Sequence, residues 1–132
     1  MATASNYTIG EIRKQLLRSG TWTKTTTRYV AVCTAAPTAA STGSTIVEPS
    51  GNAYARVQVD ADDANWSSTG DNVSAITWPT ATGNWGTLTH FAVVDAATNG
   101  NVLFYGALTT SKTITNTDTF SIPAGDLDLS IS

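Results

Sequence analysis

Charge is scarce in this chain: Asp, Glu, Lys and Arg make up 13% of its 132 residues, against roughly a quarter in an average soluble domain. It has one cysteine, Cys33, and one histidine, His90. A lone cysteine excludes an internal disulfide, so folding does not depend on an oxidising compartment. A lone histidine without a cysteine pair leaves no zinc ligand set, and His90 in its apolar run reads as a packed, hydrogen-bonded residue. Nowhere do 18 apolar residues follow one another, and the opening MATASNYTIGEIRKQ has no apolar core. Neither a membrane span nor a signal peptide is therefore expected. There is no internal repeat, and the length suits one domain.

What the chain has in abundance is hydroxyl groups, with 24 threonines and 12 serines. It is organised around Trp85 to Leu108, WGTLTHFAVVDAATNGNVLFYGAL. Two mostly apolar runs, Thr87 to Val94 and Val102 to Leu108, flank a polar segment ending in Asn99-Gly100, a pair that tolerates positive φ. That pattern predicts a β-hairpin, and its continuous apolar character predicts central strands covered on both faces. Further strands are expected at Arg28 to Thr34, Tyr54 to Asp60, Val73 to Trp78, Lys112 to Ile122 and Leu127 to Ile131. In the second of these, Ala55, Val57 and Val59 alternate with an outward set of Tyr54, Arg56, Gln58 and Asp60. The expected fold is all-β, an antiparallel β-sandwich of about seven strands with a short N-terminal helical arm; a small closed barrel is the alternative.

The arm spans residues 1–27 and the sandwich 28–132. Residues 1–6 are small and polar and read as a tail. Thr8 and Glu11 have capping-box spacing, Ile9, Ile12, Leu16 and Leu17 share a helical face, and Gly20 supplies a stop. A helix of about twelve residues is marginal alone, so its apolar face must pack on the body or on a neighbour. Through Arg28 the chain carries Arg13, Lys14, Arg18, Lys24 and Arg28 against Glu11, a net +4, whereas the remainder carries −7. A cationic arm on an anionic body suits contacts between copies or docking on an acidic partner. The basic patch is too small and too poor in interleaved aromatics for nucleic acid. A long polar loop, Thr38 to Asn52, has Ile46 and Val47 as its apolar anchors, and loops of this length are commonly functional or ordered by a partner.

Asp60, Asp62, Asp63 and Asp71 offer oxygen ligands of the kind Ca²⁺ takes, but their spacing is not that of an EF-hand loop and ordinary turns use the same residues. No metal or other cofactor is expected. His90, Asp95 and a serine make a triad only on paper, since nothing resembles a nucleophile elbow, and no enzymatic activity is expected. Trp78 and Trp85 flank buried strands and read as core, whereas Trp66, in a polar turn, is the aromatic best placed for a ligand or partner. The expected partner-binding set is Ile9, Ile12, Arg13, Lys14, Leu16, Arg18, Ile46, Val47 and Trp66.

YVAVCTAAPT, GNAYARVQV, the segment ITWPTATGNWGTLTHFAVVDAATNGNVLFYGALTTSKTI and the closing GDL resemble a family of small tailed-bacteriophage virion proteins, commonly labelled short tail-fibre proteins. The likeness runs from about Tyr29 to Leu129. It implies a non-enzymatic structural protein of the virion, present in many copies as a homo-oligomer, whose partners are the major capsid protein or tail proteins. A fibre shaft normally needs repeats, heptads or long strand arrays, and this chain has one body and one short arm. On that ground the expected role is a capsid decoration or cement subunit, with a short tail-fibre or tail-tip subunit, with or without host-glycan binding, as the alternative.

Overall fold

The computed structural model describes residues 2–23 and 25–129. Lys24 of the cationic arm and Ile131 of the expected last strand lie outside the described residues. The described elements are β1 (Ala2–Ala4), α1 (Asn6–Leu17), β2 (Tyr29–Cys33), β3 (Val57–Gln58), β4 (Ile76–Thr77), β5 (Gly86–Val94), β6 (Val102–Ile114) and β7 (Ser121–Ile122). They form two antiparallel sheets, one of five strands in the order β1-β6-β5-β2-β3 and one pairing β4 with β7. The fold is thus all-β with one short helix near its N-terminus, as the strand and turn pattern predicts.

The hairpin is where the sequence places it. Asn99 and Gly100 hold φ of 53° and 79°, and β5 and β6 lie at the centre of the larger sheet. Side chains of β2 and β5 alternate between two apolar clusters on opposite faces. Val30, Val32, Phe91 and Val93 join Ile76, Trp78, Trp85, Leu88, Ile114, Phe120 and Ile122 in the main core. Ala31, Cys33, Ala92 and Val94 face a second cluster with Val102 and Ile46. Burial on both faces explains why these strands read as apolar runs.

Four expectations fail for identifiable reasons. The first residues do not form a tail: Ala2, Thr3 and Ala4 pair with Gly106, Tyr105 and Phe104, because β6 presents a free edge that small residues can approach closely. The strand expected over Lys112 to Ile122 is divided. Its first part continues β6, where Lys112, Thr113 and Ile114 pair with Leu88, Thr87 and Gly86 after a register shift. The Asp118 carboxylate then accepts hydrogen bonds from the Thr115 N–H and hydroxyl and Thr117 takes φ of 75°, so the threonines cannot share one strand face. The alternation at Tyr54 to Asp60 gives only β3, since Tyr54 and Arg56 turn inward to Glu48. Past residue 126, Leu127 is buried in the main core, and Asp128 and Leu129 make only isolated bridges, to Asp71 and Ala2.

Cys33, fully buried in β2, has its thiol pushed up to about 12, chiefly by burial and then by the charge of Glu48, with Arg56 opposing. Only the thiolate alkylates. Native protein at pH 8 is therefore expected to resist iodoacetamide and the urea-unfolded chain to take one label, as read by intact mass; rapid native labelling would contradict this burial.

Candidate interaction surfaces

Helix α1 is fastened to the sheet at its first turn, while near its other end Gln15 Oε1 accepts from the Trp22 N–H of the following segment. The helix cap is Ser5, whose Oγ accepts from the Thr8 N–H at 3.2 Å. The expected Thr8–Glu11 cap thus sits one turn too late. Both hydroxyls also serve the neighbouring strand: Ser5 Oγ donates to the Val102 carbonyl and Thr8 Oγ1 to that of Leu103 at 2.9 Å. A polar pair that satisfies the helix start and the β6 backbone together holds the first turn against the sheet.

Beyond that turn the helix face expected to pack does so only in part. Ile9 and Ile12 are half-buried, but Leu16 and Leu17 are 73% and 81% exposed. Arg13 and Arg18 are exposed beside them, whereas Lys14 is paired with Glu11 at 2.7 Å. The arm's charge is also smaller at the surface than its composition implies. Arg28 is buried, donating to Thr25 Oγ1 and the Thr27 carbonyl. Its pKa is lowered by burial, against the opposing charges of Asp95, Tyr7 and Asp60.

The 38–52 loop is ordered by the chain itself. Ile46, expected on a partner surface, is buried in the second cluster of its own chain, while Val47 is 53% exposed. Holding the loop is a node that the sequence pattern hides. Arg56 donates to both carboxylate oxygens of Glu48, at 2.9 and 2.8 Å. It also donates to the carbonyls of Ala96 and Asn99 in the β5–β6 turn and of Gly43 in the loop. Tyr54 donates its hydroxyl to Glu48 at 2.7 Å and accepts from the Val32 N–H. Burial, and then the charge of Glu48, hold the Tyr54 phenol far above its ordinary range. For Arg56, burial acts downward but the hydrogen bond and charge of Glu48 outweigh it, and its pKa rises. One signal was present in the sequence: Arg56 is one of only two basic residues after Arg28, amid nine acidic ones.

Trp66 lies between these readings. It is half-buried against the main core, with Nε1 donating to the Val59 carbonyl, and its ring lines a groove of about 560 Å³. The other walls include Val93, Leu103, Phe104 and Leu129, with Asp62 and Asp63 at the rim. Three of the four aspartates accept hydrogen bonds from nearby side chains, and Asp60 also accepts from the Arg28 main-chain N–H. Asp62 accepts from Asn65, Asp60 from Gln58 and Asp71 from Thr69. Among the described residues no three His, Cys, Asp or Glu side chains converge as a metal site. His90 is half-buried and shares a 2.8 Å hydrogen bond with Thr89 Oγ1. Trp78 and Trp85 are core residues, 1% and 6% exposed.

The all-β body thus carries an apolar helix end and a partly apolar groove on its surface. The chain belongs to the family described as Podophage GP4 fiber I protein gp80, whose model matches residues 3–130. No curated protein matches it. Membership makes the chain a structural component of a phage virion, associated with other virion proteins, in agreement with the family its motifs resemble.

Proposed function

We propose that the chain is a non-catalytic subunit of the fibre apparatus of a podophage, present in several copies and assembled through the exposed end of α1. In this reading residues 1–27 act as the docking arm and residues 28–132 as the body that carries it, with Ala2–Ala4 fastening the arm to the main sheet. The observation that carries the proposal is the exposure of Leu16 and Leu17 on a helix whose first turn is rigidly held. Exposed leucines side by side, flanked by arginines, are what a subunit interface leaves uncovered in a separated chain. The family description names a fibre protein, which fits this reading. A host glycan is the alternative ligand for the Trp66 groove, since Ser67, Ser68 and Thr69 line it beside the apolar side chains of Trp66, Phe104 and Leu129, but its exposed surface is mostly apolar and suits an apolar side chain better.

Labelling the protein on intact particles with an antibody or a gold-tagged fusion tests the placement. Label confined to the tail supports the fibre subunit; label spread over the head would replace it with capsid decoration.

A further inference from the structure

We propose that the exposed end of α1 in one copy seats in the Trp66 groove of a second copy, joining chains head to tail. This inference rests on the fibre-subunit reading and names its partner. The two surfaces match in both apolar character and charge. Leu16 and Leu17 stand out from the helix, and the groove offers Trp66, Phe104, Leu103 and Leu129 as apolar walls. Arg13 and Arg18 flank the leucines on exposed positions. Asp62 and Asp63 rim the groove, both exposed. Arg28 also borders the groove, but its guanidinium is turned to Thr25 and Thr27 of its own chain. Seating the leucines would therefore bury apolar surface on both partners and set cation against anion at the rim.

Leu16 and Leu17 do not fill the groove of their own chain. Thr8 fastens the first turn of α1 at Leu103, itself a groove wall. Nine residues at 1.5 Å per residue then set Leu17 about 14 Å further along the helix axis. A knob held off the groove of its own chain, and complementary to it, makes a heterologous contact, which repeats from copy to copy as a ring or a filament. The contact needs no internal sequence repeat.

The test is sedimentation velocity of the full chain at graded concentration and low salt. The wild type is expected to associate. Leu17→Asp removes the knob, and Thr69→Trp fills the groove at an exposed lining residue. Each change is expected to weaken self-association roughly 10- to 100-fold, the effect of losing one buried leucine's worth of apolar contact. Mixing the two variants is the decisive arm: one retains a groove and the other a knob, so a 1:1 dimer that does not extend is expected. Should Thr69→Trp fail to fold, the charge reversals Asp63→Arg and Arg18→Asp take its place, each weakening association alone and restoring it when mixed.

Three results would overturn the proposal. These are a wild type that stays monomeric at every concentration, association that survives both variants, and loss of association without recovery on mixing, which marks a helix-to-helix contact instead. A monomeric wild type leaves a tail position on the particle intact, whereas label on the head removes the fibre reading and leaves head-to-tail association standing.

Discussion

Arg56→Ala is expected to destabilise the chain by about 3–5 kcal/mol, the range for removing one partner of a buried ion pair. The Arg56 side chain is 4% exposed and that of Glu48 16%. Among the described residues, truncation leaves the Glu48 carboxylate with only the Tyr54 hydroxyl and strips the carbonyls of Gly43, Ala96 and Asn99 of their guanidinium donor. Stranded acceptors cost more than the bonds themselves contributed. The loop cannot readily shift to recover them. A Cβ at Gly43 would lie 1.7 Å from the Asn99 carbonyl oxygen, so loop and hairpin turn are already in backbone contact, with the Gly43 N–H donating to the Gly100 carbonyl. Arg56→Lys is expected to recover little, because an ammonium cannot supply the guanidinium's planar fork to five acceptor contacts. Urea unfolding with a far-UV signal measures the loss. A change below about 1 kcal/mol for Arg56→Ala would show that the node is peripheral to stability.

Trp78→Ala is expected to have an effect of the same size, about 3–5 kcal/mol, through a different mechanism. Trp78 is 1% exposed and joins the smaller sheet to the main core, its ring centroid 5.3 Å from that of Phe120. Its main-chain N–H donates to the Phe120 carbonyl, so truncation leaves the backbone pairing in place and empties the space between the sheets. For a chain of this length the loss corresponds to a fall of about 10–20 °C in Tm. The indole N–H separates volume from polarity, since among the described residues Trp78 Nε1 is a buried side-chain nitrogen without a hydrogen-bond partner. Trp78→Phe forfeits part of the packing but also removes a polar group whose desolvation costs about 1–3 kcal/mol. It is expected to lose less than half as much stability as Trp78→Ala. Equal losses would mean that the indole N–H, which both variants remove, contributes to stability and that retained ring volume does not govern the site.

What could be read in the chain and what could not divides along the range of the interactions. The helix was legible as a helix, because Ile9, Ile12 and Leu16 recur at its period. Its register was not, since the Ser5 cap is chosen partly by the Val102 carbonyl, 97 residues away. β1 carried no signal at all: Ala2, Thr3 and Ala4 have neither length nor apolar alternation, and they are extended because β6 offers an edge to pair with. Trp78 and Trp85 were placed in the core by the strands beside them. Ile46, read as a contact for partners, is instead buried against Val94 and Val102 in the chain's own second cluster.

The sequence by itself determined the all-β class, the central hairpin with its Asn99-Gly100 turn, the two-sided burial of β5, and membership in a phage virion family. Each of these is written in local periodicity, turn chemistry or contiguous motifs. Only the tertiary structure decided that the N-terminus enters the sheet, that Arg56 locks the long loop to the hairpin, and that Leu16 and Leu17 remain uncovered. Those outcomes depend on backbone acceptors, free edges and burial supplied by segments distant in sequence. No local pattern encodes them, because the groups that decide them become neighbours only when the sheets close.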